Sequence, residues 1–494
     1  MSSTLILTCV IAYSVVLFGV TWYTSRGADN ESFFVGNRSS KWYLVAYGMI
    51  GASLSGVTFI SVPGAVGTAQ FGYLQVVLGY LIGYVVIAFV LLPLYYRLNL
   101  TSIYSYLQQR FGNYSYKTGA LYFILSRTVG AAFRLYVVVN VLQTFVFDNL
   151  GVPFYVTVAV FVALILLYTY QGGVKTIIYT DTLQTTFMLL SVVLSILFVM
   201  KELNLNFGDL YSRISQSHYG QIMFTDWQPK SFYLKQFFGG MFIAIAMTGL
   251  DQEMMQKNIS CKTVGEAQKN VLTFSAVMLI VNILFLILGA LLYIYANESS
   301  IPLMINEKGK IISDHVFPTI ALQHFGTLSG IFFIIGLISA AYPSADGALT
   351  ALTSVFCIDF LGLKDDQHKT EEQKKKIRHI VHFTFAGILF LVIVIFKLIN
   401  NDSVINNLFT WAGYTYGPLL GLYSFGLFTK KQVRDYLVPL VCILSPLICI
   451  WLNEYSVEFF GGYKFGFEMI ILNGLITFIG LWFVSFKKNK IPQH

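Results

Sequence analysis

The sequence predicts an all-α integral membrane protein with about thirteen transmembrane helices, and three observations carry that prediction. Of the 494 residues, 56% are apolar and only 11% charged, less than half of the roughly 25% charge that clothes a soluble globular surface. The apolar runs have the length of about twenty residues that a helix needs to cross the hydrocarbon core, not the roughly ten-residue alternation of a barrel. Lys and Arg concentrate in every second connection, as the positive-inside rule requires. With 43 Phe and 31 Tyr in addition, a soluble enzyme, a disordered chain and a disulfide scaffold are excluded. The net charge of +8 is then a matter of loop position, not of nucleic-acid binding.

The elements follow in order. The run 4–23 has no Lys or Arg before it and no small-residue cleavage site after it, so it reads as a retained span rather than a removed signal peptide. Spans follow near 41–66, 73–97, 117–147, 152–171 and 176–200, the amphipathic stretch 98–116 being a connection. The polar stretch 202–232 separates these from spans near 233–256, 269–296, 327–359, 376–400 and 404–428. Two more, 434–452 and 465–486, end the chain. Each must be helical, because a helix satisfies its own backbone hydrogen bonds in lipid. With the N-terminus outside and the C-terminus cytoplasmic, the expected inner loops hold 22 of the 32 basic residues and the outer loops 7. One missed span would invert every later loop, so this split supports the count. Cys9, Cys261, Cys357, Cys442 and Cys449 have no paired spacing and read as small buried hydrophobes.

An ionisable group within a span is costly and is a functional-site candidate by default. Arg127 and Arg134 are seven residues apart in span 4 and share a helix face. Either pairs with an acid inside the bundle, snorkels from a span end, or meets a polar or anionic solute, Arg127 being favoured for that role over Arg134. Asp181 opens span 6 within GGVKTIIYTDTLQT. Asp346 lies mid-way along span 9 in a run of small and hydroxyl residues, SAAYPSADGALTALTS. Pro343 removes a backbone donor there and frees carbonyl oxygen near Ser339 and Ala340. Carbonyls, hydroxyls and a carboxylate together suit a hard cation. Span 2 carries GMIGASLSGVTF, placing Gly48, Gly51, Gly56, Ser53 and Ser55 at membrane depth. Such glycines either pack helices closely or permit unwinding, and unwound backbone at the midplane is how secondary transporters build their sites. The seven histidines fall in loops or near span ends, and no HExxH, GxSxG or phosphate-binding loop is present, which argues against an enzyme.

Four motifs in this order, GGVKTIIYTDTLQT, LDQEMMQKN (250–258), the run ending in CID (357–359) and GPLLGLYSFGLF (417–428), resemble the sodium/solute symporter family, which includes sodium/glucose and sodium/sialic-acid cotransporters. The likeness covers roughly residues 30–430. It implies a leucine-transporter-type fold, with a leading helix (4–23), two inverted five-helix repeats (41–200 and 233–428) and two further helices (434–486). Spans 2 and 7 would be interrupted near Gly51 and Gly56 and near Gly239 and Gly240. The implied coupling ion is sodium, bound by the carbonyls of Gly51, Leu54 and Ala340 and the hydroxyl of Ser344. The family's neighbouring serine is replaced by Pro343. Asp181, and Asp346 at a position where relatives carry a hydroxyl, would complete the oxygen set. Solute contacts would come from Ser53, Ser55, Thr58, Gln75 and Arg127. The resemblance implies sodium-coupled import of a small organic solute by alternating access, the solute being an acidic sugar or other organic anion, or a neutral sugar or polyol. A transporter-like sensor and a cation-independent uniporter are the alternatives. The expected partners are the solute and the lipid bilayer, with a monomer sufficing. The expected setting is a plasma membrane, by resemblance a bacterial inner one.

Overall fold

The computed structural model describes residues 2–24, 40–364, 366–399 and 404–486, and it is helical nearly throughout. In chain order the main helices are α1 (Ser3–Thr24), α2 (Trp42–Ser53), α3 (Gly56–Ala69), α4 (Tyr73–Arg97), α5 (Asn113–Leu142), α6 (Phe154–Glu202), α7 (Tyr233–Gly249) and α8 (Gln252–Ile259). They continue with α9 (Val264–Glu298), α10 (Thr327–Val355), α11 (Glu371–Ile399), α12 (Val404–Phe428), α13 (Val438–Glu454) and α14 (Met469–Phe483). The long apolar side chains of the sequence divide between a continuous core, with Phe59, Phe123, Phe274 and Phe285 fully buried, and a lipid-facing rim such as Phe89, Leu167 and Leu398.

Among the described residues, eight helices are long and apolar enough to cross a membrane, or ten if each of two bent pairs is one span. Thirteen spans are therefore not established. Phe154–Leu167 and Met469–Phe483 are apolar but short, and α12 is long but rich in Gly, Tyr and Asn. Spans 5 and 6 fall within one helical element, α6, of 49 residues. Straight, it would run about 74 Å, more than twice the roughly 30 Å hydrocarbon core. Its described contacts show two antiparallel halves. Thr157 bonds Gln143 just beyond α5, and Phe198 packs on Phe325 just before α10. The Asn140–His315 contact brings those two regions to the same end of the bundle, while Thr169 reaches His382 of α11 toward the other end.

The two interruptions are present. The α2 axis turns by 57° into α3 at Leu54–Ser55, and α7 turns by 65° into α8 at Leu250–Asp251. Leu54 leaves the helical region at ψ 84°, so the last carbonyls of α2 have no continuing helix to donate to them. The second break lies ten residues beyond Gly239 and Gly240, where the sequence placed it. Those glycines are packing positions inside α7: a side chain at Gly240 would run into the Val76 backbone of α4, and one at Gly239 into Phe467. The ladder instead loosens through the π-turn Ile245–Gly249. The resulting bundle packs α10 along α6, α4 along α7, and α12 between α5 and α14, with α2 lying on α6. Cys261, Cys357, Cys442 and Cys449 are buried and unpaired.

Candidate functional site

The first break opens onto a cavity lined by polar and aromatic side chains. Its walls include Ser53, Leu54, Ser55 and Thr58 from the break, Tyr80 and Tyr84 from α4, Arg127 and Arg134 from α5, Thr248 from α7 and Asn282 from α9. Tyr73 and Phe409 stack at its edge with ring centroids 6.4 Å apart. Aromatic walls with a few convergent polar groups suit a small polar solute.

Of the residues the sequence assigned to the solute, Ser53, Ser55, Thr58 and Arg127 line this cavity. Gln75 does not. It is buried at the outset of α4, where its amide donates to the carbonyls of Gly72 (3.0 Å) and Ser231 (3.5 Å) and so ties a loop. Of the residues assigned to the cation, Leu54 lines the cavity, while Gly51, Ala340 and Ser344 are buried behind it, where α2 packs on α6 and α10. Gly51 needs its bare Cα, since a side chain would meet Thr185 of α6. The Ser344 hydroxyl donates to the Ala341 carbonyl at 2.9 Å, which leaves its oxygen lone pairs available. Asp346 is fully buried, and one carboxylate oxygen accepts from the Gly347 amide.

The largest departure concerns charge. Arg127 and Asp181, expected to face a solute and a cation, are joined by a chain of buried ion pairs. Glu253 holds the Arg127 guanidinium, and Asp251 lies 3.8 Å from its other arm. One turn on, Lys257 sits 3.5 Å from Glu253 and 2.7 Å from Oδ2 of Asp181. Asp251 caps α8 by accepting from the Met254 amide and also accepts from the Tyr416 hydroxyl at 2.6 Å. None of these charged side chains exceeds 3% exposure. The sequence reading counted Lys257 among loop cations and passed over Asp251 and Glu253. The signal was there: both acids lie inside the expected span 233–256, and Glu253 and Lys257 have the i,i+4 spacing of a helix pair. His382 is a similar case. It is buried in α11, held between the hydroxyls of Thr169 and Thr353.

Arg134, two turns along α5, differs from Arg127. It too is buried and lines the cavity, but no carboxylate lies within 4 Å of it among the described residues, and its Nε and Nη1 have no hydrogen-bond partner. A buried guanidinium with no carboxylate close to it is costly unless another group meets its charge. Asp181 presents the complementary feature: its Oδ1 is buried with no hydrogen-bond partner among the described residues.

Comparison with known proteins follows the same lines. The profile of the sodium:solute symporter family matches residues 33–435. The chain is 22% identical over 475 residues to the sodium/sialic acid symporter SiaT of Proteus mirabilis, an alignment covering 94% of this chain and 92% of that one. It is 24% identical over 478 residues to the sodium/sialic acid symporter NanT of Aliivibrio fischeri, covering 94% and 90%. A solved structure of a sodium-coupled sialic acid symporter, substrate-bound and outward-open, superposes with a TM-score of 0.82 at 19% identity, covering 98% of this chain and 99% of that one. The fold is shared with that structure.

Proposed function

The chain belongs to the sodium:solute symporter family, and from that premise we propose that it imports a small organic anion together with sodium. The observation that carries the choice of an anion is Arg134, a buried guanidinium on the cavity wall with no carboxylate within 4 Å. The anion contact thus moves from Arg127, whose charge Glu253 already meets, to Arg134. Ser53, Ser55 and Thr58 supply hydroxyls for the rest of the solute. The two bacterial relatives are named for sialic acid, a carboxylated sugar, which supports a carboxylate as the group recognised.

Sodium is the coupling ion. Its site is assigned to the carbonyls of Gly51, Leu54 and Ala340 and the hydroxyl of Ser344, with Asp181 and Asp346 supplying the negative charge near by. Carbonyl, hydroxyl and carboxylate oxygens suit a hard cation. A cation there draws the end of α2 toward α10 and so shapes the cavity wall at Ser53–Ser55. Coupling of this kind is reciprocal: sodium raises solute affinity by the factor by which solute raises sodium affinity. Inward movement of one charge yields about 2.3 kcal/mol per 100 mV. Rocking of one helix set against the other about the midplane site completes alternating access. The setting is a bacterial inner membrane with the N-terminus outside, supported by the basic residues of the expected inner loops, and a monomer suffices.

Thermal shift of the purified protein in sodium tests the reading. A carboxylated sugar such as sialic acid should stabilise it, and its methyl ester should not. Arg134→Gln should weaken the solute shift by about 1.5–3 kcal/mol, the range for hydrogen bonds to charged groups, and leave the shift from sodium alone. Equal stabilisation by acid and ester would remove Arg134 from its role.

A further inference from the structure

Lys257 stands within reach of two carboxylates. From α8 its ammonium touches Oδ2 of Asp181 at 2.7 Å, and Oε1 of Glu253 is 3.5 Å away on the same helix face. The other oxygen of Glu253 holds Arg127, on the cavity wall. The other oxygen of Asp181 is buried and without a hydrogen-bond partner among the described residues. Behind Glu253 lies Gly347 of α10, where any side chain would strike the carboxylate, so the acid has room only because that position is bare. The same layer holds four acids, Asp181, Asp251, Glu253 and Asp346, against Arg127 and Lys257, all buried. Arg134, two turns along α5, is a third buried cation near by, so the acids outnumber the cations by one, and a compact cation would relieve the excess.

We propose that Lys257 is a tethered cation that competes with sodium for Asp181, and that its withdrawal to Glu253 carries sodium occupancy to Arg127 at the cavity wall. This rests on the sodium-symport reading and deepens it. The lysine stem is flexible and its head has three rotatable donors, so a shift from one carboxylate to the next needs only side-chain rotation. Two cations on one buried carboxylate repel strongly. A sodium ion entering at Oδ1 of Asp181 therefore drives the ammonium toward Glu253. Glu253 then divides its charge between Lys257 and Arg127, and the guanidinium is freer to turn to Asp251, 3.8 Å from it. Solute bound in the cavity biases the same chain from its other end.

Equilibrium binding of radioactive sodium to the purified full-length protein, with no solute present, tests this without knowledge of the cargo. Lys257→Met removes the competitor and should tighten sodium binding by about tenfold, within the usual range of coupling between sites. Lys257→Arg keeps the charge and should stay near the wild type. Glu253→Gln removes the place of withdrawal and should weaken sodium binding. Unchanged or weaker binding in Lys257→Met overturns the proposal. If that variant does not fold, unchanged or tighter binding in Glu253→Gln overturns it. Absence of sodium binding by the wild type is a separate result, which sinks the symport reading itself.

Discussion

The two broken spans bend alike, by 57° between α2 and α3 and by 65° between α7 and α8, but they are held in place by different forces. The first break has no ionisable Asp, Glu, Lys or Arg anywhere from Trp42 to Ala69. Neighbours close on it through missing side chains: Gly51 admits Thr185 of α6, and Gly56 admits Val138 of α5. The second break has Asp251, Glu253 and Lys257 within seven residues, each bonded to another helix. Shape positions one break and charge positions the other. The charged break fastens α8 to α5, α6 and α12, while the neutral break has no charge with which to do so.

Breaking that contrast should produce effects of decreasing size. Glu253→Leu strips a carboxylate from two buried cations and should lower the unfolding free energy by about 3–5 kcal/mol, read as a fall in the melting temperature in detergent. Adding Arg127→Met removes the orphaned charge next to it and should recover much of the loss, because a well-packed apolar pair can replace a buried ion pair. A double variant no better than the single would refute an electrostatic hold on the second break. Gly51→Ala should cost about 1–3 kcal/mol by overpacking, and Thr185→Ala in the same chain should relieve it, a non-additivity that a double-mutant cycle measures. Additive losses would mean that shape does not hold the first break. The smallest effect is expected at Arg213–Glu298, an ion pair whose side chains are 46% and 44% exposed. Glu298→Gln should change stability by about 0–1 kcal/mol, which would separate burial from pairing as the source of the larger effect.

The residues explain which parts were legible in advance. Apolar runs of membrane length announced most of the helices, and GMIGASLSGVTF announced the first break, because an unwound turn at membrane depth needs small residues along the chain itself. The second break was misplaced onto Gly239 and Gly240, since a glycine that admits the Val76 backbone cannot be told from one that loosens its own helix. The sequence favoured Arg127 over Arg134 for a solute, and the proposed function reverses that order. Both are buried arginines on one face of α5, and what distinguishes them is Glu253, more than a hundred residues away in sequence. Lys257 passed for a loop cation for the same reason: its partner Asp181 belongs to another helix.

The sequence by itself determined that this chain lives in a bilayer, that it is helical, that it belongs with sodium-coupled carriers, and that Arg127, Arg134, Asp181 and Asp346 fall within apolar spans. These follow from composition, run length and local motif, all of which act along the chain. Only the tertiary structure decided which buried charges neutralise one another and which is left to seek a partner. Charge compensation at low dielectric acts through a few ångströms of space, and the helices that supply those neighbours are brought together only when the bundle is packed.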